Sequence, residues 1–72
     1  MSVKESENVF IHNVRQRREA MGISVLELAR RGGLSPAMLE ELDRGVVPED
    51  MAVDDAWKLA EVFGCEPEEL FR

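Results

Sequence analysis

The chain is expected to fold as an all-α domain, and three features of the sequence carry that expectation. Apolar residues recur at three- and four-residue spacing. Serines precede the second and third periodic stretches, and glycines follow the first four. No stretch alternates apolar and polar residues in the manner of a strand.

The elements follow in order. Residues 1–8, MSVKESEN, are polar and aperiodic, so they are expected to form a flexible N-terminal arm ahead of a domain over residues 9–72. From Val9 to Met21, Phe10, Val14 and Met21, with Ile11 and Ala20, mark a first helix that Gly22 stops. Ser24 to Glu27 reads as a capping box, with the Ser24 oxygen accepting from the Glu27 amide while the Glu27 carboxylate reaches back. The helix it opens ends at Gly32-Gly33. Ser35 then caps a third helix with Pro36 at its first position, where a missing N–H is harmless, and Gly45 closes it. After the loop VVPEDMA, a fourth helix runs from about Val53 to Phe63, with Trp57, Ala60 and Phe63 on one face and Asp54 and Asp55 in its first turn. Gly64 ends it, and Pro67 starts a short fifth helix. Trp57 and the four methionines read as core or arm residues.

At 72 residues the chain makes one small domain, with 44% hydrophobic and 33% charged residues. Such a domain buries only about 60% of its unfolded surface. No apolar run approaches the ~20 residues of a membrane span, and the opening lacks a signal-peptide pattern. Cys65 is the only cysteine, which suits a reducing compartment and a cytoplasmic location.

The net charge of −6 argues against indiscriminate nucleic-acid binding, but the charge is uneven. Up to residue 44, Lys4, Arg15, Arg17, Arg18, Arg30, Arg31 and Arg44 balance Glu5, Glu7, Glu19, Glu27, Glu40, Glu41 and Asp43. Beyond it, Lys58 and Arg72 face Glu49, Asp50, Asp54, Asp55, Glu61, Glu66, Glu68 and Glu69. Any phosphate contact must therefore come from the first 44 residues.

Nothing in the pattern argues for an enzyme. Nucleophilic catalysis needs a base beside the nucleophile, and His12 has no sequence link to Cys65 or a serine. Cys65 follows a helix-ending glycine and reads as packing. The adjacent acids Glu40-Glu41, Asp54-Asp55 and Glu68-Glu69 do not face each other on a helix. VVPEDMAVDD lacks the central glycine of a calcium loop, and Gly32-Gly33 joins two helices rather than cradling a phosphate. No cofactor or metal is expected.

The stretch GISVLELARRGGLSPAMLEELDRG resembles the helix-turn-helix of the Cro/phage-repressor (XRE) family. The shared features are G-[LI]-S before the second helix, L-A near its middle, G-L-S-P at the turn and L-x-x-L-[DE]-R-G closing the third. WKLAEVFGCEPEELF is similar to the family's fourth and fifth helices, so the likeness covers roughly residues 9 to 71. It implies a five-helix lambda-repressor-like DNA-binding domain, with the motif at about residues 25–44. A transcription regulator or repressor that works as a homodimer on double-stranded DNA is the function it implies.

The physical reading agrees. Two short helices joined by a glycine-bearing turn cross steeply, and the second can lie in the major groove. Leu28, Ala29, Leu34, Leu39 and Leu42 supply inward faces, which leaves Ala37, Glu40, Glu41 and Arg44 outward. By resemblance the DNA-facing set is Ser24, Val25, Ser35, Pro36, Ala37, Glu40, Glu41 and Arg44. Arg15, Arg31 and Arg44 assist the helix N-termini at phosphates. The resemblance also makes Arg18 and Asp43 a structural ion pair that orients the third helix, partly buried and bidentate.

Two departures keep a second reading open. The family places a glutamine and other polar residues where this chain has Val25 and Leu26, and a small polar residue and an arginine where it has Glu40 and Glu41. Val25, Leu26 and Met38 are thus expected to form an apolar patch at the rim, suited to a protein partner. Val25 could instead touch a thymine methyl, the group could simply be partly buried, and a glutamate can accept from cytosine. The alternative to a DNA-binding regulator is a helix-turn-helix module repurposed for protein–protein interaction, as an antirepressor or antitoxin-like subunit.

Overall fold

The computed structural model describes the backbone of residues 3–72 and the side chains of residues 9–72. Four α-helices, α1 (Val3–Met21), α2 (Val25–Gly32), α3 (Pro36–Asp43) and α4 (Val53–Phe63), precede a 3₁₀-helix at Pro67–Phe71. The described residues contain no strand. No helix among them is long and apolar enough to cross a membrane.

Helix α1 starts at Val3 rather than Val9, so residues 3–8 continue a helix where an arm was expected. The segment contains neither glycine nor proline, so its residue types are compatible with a helix. Periodicity missed it because it has too few apolar residues to show a face. Residues 1–2 of the expected arm lie outside the described residues. At the other end of α1, Ala20 and Met21 are exposed, so the inward stripe consists of Phe10, Ile11 and Val14.

The core gathers those three side chains with Leu28 and Ala29 of α2, Leu34 of the turn, Leu39 and Leu42 of α3, Ala56, Leu59 and Ala60 of α4, and Leu70. Half-buried Met51, Phe63 and Cys65 pack against it. Trp57 is not core: it is 59% exposed. At 100° per residue it lies about 100° from the centre of the Ala56, Leu59, Ala60 and Phe63 face, so spacing to Ala60 and Phe63 alone misplaced it.

The fifth helix is a single 3₁₀ segment, which corrects the five-α-helix expectation. Pro67 fixes its start and five residues leave little room for α-type bonds. Its anchoring comes from α1. The Asn13 side-chain amide donates to the Leu70 carbonyl at 2.9 Å and the Arg72 carbonyl at 3.1 Å. The rings of Phe10 and Phe71 stack with centroids 4.9 Å apart.

Candidate nucleic-acid interface

The motif is built from two capped helices and one glycine. Ser24 Oγ accepts from the Glu27 amide at 3.1 Å and so starts α2. Gly33 ends it at φ 65°, a left-handed conformation that side-chain-bearing residues rarely adopt. The Leu34 amide returns to the Ala29 carbonyl at 2.9 Å, closing the helix, and the Leu34 side chain drops into the core. Ser35 Oγ then accepts from the Met38 amide at 3.4 Å, with Pro36 first in α3.

Burying Leu39 and Leu42 sets the rotation of α3. Ala37, Glu40 and Arg44 are exposed and Glu41 is half-buried. Ser24, Ser35 and Pro36 are exposed at the two helix N-termini. The apolar patch is smaller than expected. Leu26 is 64% exposed, whereas Val25 and Met38 are half-buried, and Val25 packs against the core. Val25 turns inward because the second position of the α2 stripe, Leu28, lies three residues on and is buried.

Two carboxylates organise the cations. Glu27 does not return to the Ser24 amide, so the expected capping box is only half formed. Its carboxylate instead accepts from Arg30 Nε at 2.9 Å and Arg31 Nε at 2.8 Å. The hydrogen bonds from Arg30 and then Arg31 hold its carboxyl down at about 2, and Glu27 in turn raises Arg30. Two basic residues three and four positions after the acid outbid the backbone amide, which carries no charge.

The second carboxylate is Asp43. Arg18 Nη2 donates to its Oδ1 at 3.0 Å, while Arg18 Nη1 donates to the Ile23 carbonyl at 2.8 Å. The contact to the carboxylate is therefore single rather than bidentate: the fork divides between α3 and the turn after α1. Arg15 also turns to Asp43, donating from Nη2 to its backbone carbonyl, with Nε 3.8 Å from Oδ1. Arg15 and Arg31, expected at phosphates, are thus both engaged within the domain. Arg44 is exposed and makes no ion pair among the described residues.

The surface so assembled has exposed helix N-termini, an outward helix face with two carboxylates and one free guanidinium, and one exposed leucine. It offers donors and shape for docking a large ligand. His12 is exposed and Cys65 half-buried, and the described residues hold no cluster of three or more His, Cys, Asp or Glu placed for a metal. Sequence reasoning missed the engagement of Arg15 by Asp43 and the clamp made by Asn13. A polar residue three positions after Phe10, on the edge of an apolar stripe, was the available signal for Asn13.

Residues 14–70 match the family model described as helix-turn-helix. No curated protein and no solved structure gives a significant match.

Proposed function

The chain belongs to the XRE-type helix-turn-helix family of DNA-binding regulators, and on that premise we propose that it binds specific double-stranded DNA sites by inserting α3 into the major groove. The observation that carries this reading is the projection of α3: Pro36, Ala37, Glu40 and Arg44 are exposed beside the exposed Ser24 cap of α2. In this geometry the N-terminal amides of α2 and α3, helped by Arg44, meet phosphates, and Ala37 and Glu41 meet base edges. Two copies related by a two-fold axis, on half-sites about one helical turn apart, supply the usual helix-turn-helix spacing.

The carboxylates on α3 weaken this binding without abolishing it. A carboxylate ~7 Å from a phosphate costs about 0.6 kcal/mol in water and a few-fold more when partly desolvated. Specific binding worth on the order of 11–15 kcal/mol absorbs two such penalties. Glutamates also accept from the cytosine amino group, so they turn a loss in general affinity into a preference.

Selection from a random duplex library tests the reading. A recovered motif with two half-sites about one helical turn apart supports it. Recovery of no motif at low salt contradicts it.

A protein partner is the second reading, and exposed Leu26 beside an acidic α3 is the observation that favours it. Leu26→Ser separates the two, because it weakens an apolar protein interface and leaves phosphate contacts intact.

A further inference from the structure

We infer that Arg15 is a positioning residue of the recognition helix and not a phosphate ligand. This deepens the DNA reading above and rests on it for its binding assay. Arg15 lies on α1, one turn before Arg18, and both guanidinium groups converge on the last residue of α3. They do different things there. Arg18, whose side chain is 17% exposed, holds the Asp43 carboxylate and the Ile23 carbonyl. Arg15 holds the Asp43 backbone carbonyl and lies 3.8 Å from the carboxylate. That carbonyl is at the negative end of the α3 dipole, where a cation is favoured.

The grip sits at the edge of the packing between the helices. Behind Asp43, a crevice of about 10 Å³ remains between α1, α2 and α3, lined by Ile11, Val14, Leu39 and Leu42 and by Arg15, Arg18 and Asp43 themselves. It has room for about one water molecule, so the apolar contacts stop short of the end of α3 and the polar ones continue from there. The polar grip at the C-terminal end of α3 adds to the burial of Leu39 and Leu42 in fixing the angle at which its N-terminal half leaves the body. For Arg15 to reach a phosphate, it would have to abandon both contacts.

Two measurements on the full chain test this. The first is binding to a short random-sequence duplex as a function of salt. The second is amide hydrogen exchange in α3 without DNA. Arg15→Gln is expected to bind the duplex several-fold more weakly, with the slope of log affinity against log salt unchanged. Exchange in α3 quickens several-fold while exchange in α4 does not. Arg15→Lys, which keeps the charge but cannot serve both acceptors with one fork, falls between parent and Arg15→Gln in both readouts. Arg44→Gln serves as the comparison, its slope falling by about 0.9 as a phosphate contact is lost.

A fall of about 0.9 in the Arg15→Gln slope, with α3 exchange unchanged, would overturn the inference. If the parent binds no duplex at low salt, the DNA reading fails but the exchange result still decides. Unchanged α3 exchange in Arg15→Gln overturns the grip, and quickened exchange confined to α3 supports it. Should Arg15→Gln not fold, Arg15→Lys decides by the same exchange comparison.

Discussion

Arg18 and Asp43 join the first helix to the recognition helix through one hydrogen bond of 3.0 Å, and the same guanidinium holds the Ile23 carbonyl at 2.8 Å. One side chain therefore ties together the end of α3 and the turn between α1 and α2. Arg18 is 17% exposed, so removing Asp43 leaves a poorly solvated cation short of its partner.

Replacing either Arg18 or Asp43 by alanine is expected to destabilise the domain by about 1–3 kcal/mol. The double replacement should cost less than the sum of the two. Urea denaturation of the four proteins measures the coupling, and strict additivity would show that the pair contributes no interaction energy.

Glu27 makes stability depend on acid pH. Hydrogen bonds from Arg30 and Arg31 hold its carboxyl at about 2 in the folded chain. Unfolded, a glutamate titrates near 4.3. Between these values the unfolded state binds more protons, so the contribution is complete above the unfolded value and fades as pH falls through about 2. Thermal melts of parent and Glu27→Gln should differ at neutral pH and converge as the solution is acidified from about pH 5 towards pH 2. A gap that stays constant through that window would show that Glu27 is not held by its arginines.

Asn13 fastens the C-terminal 3₁₀-helix by two carbonyl contacts. Asn13→Ala is expected to cost about 1–2 kcal/mol, since the carbonyls of Leu70 and Arg72 lose their donor. Exchange at the amides of residues 69–71 should quicken more than exchange in α2 and α3. Uniform quickening across all helices would show only a general loss of stability.

Much of this fold is legible in the sequence because the helix boundaries rest on local chemistry. Ser24, Ser35, Gly33 and Gly64 act through their own backbone neighbours, and they end or begin helices where their residue types require. Leu28, Leu39 and Leu42 are buried as their spacing implies. The start of α1 is not legible because residues 3–8 hold too few apolar residues to mark a face. Trp57 is misplaced because an i to i+3 relation tolerates a rotation of 60°, enough to carry a side chain from core to rim. The partner of Arg15 is harder still. A cation near an interface reads the same in sequence whether it points to phosphate or to a carboxylate, and only the packing of α1 on α3 decides which.

The central claim is that α3 faces DNA, and its two outward carboxylates offer the most direct measurement. Glu40→Ser with Glu41→Arg removes two charges that would repel phosphates and adds one that attracts them. Binding of this variant and its parent to a random-sequence duplex is to be followed across a salt titration. With α3 in the groove, the variant binds several-fold more tightly at low salt, and its slope of log affinity against log salt steepens by about 0.9. A variant that binds no better than the parent at low salt, with the same slope, would contradict the claim and take α3 away from the nucleic acid.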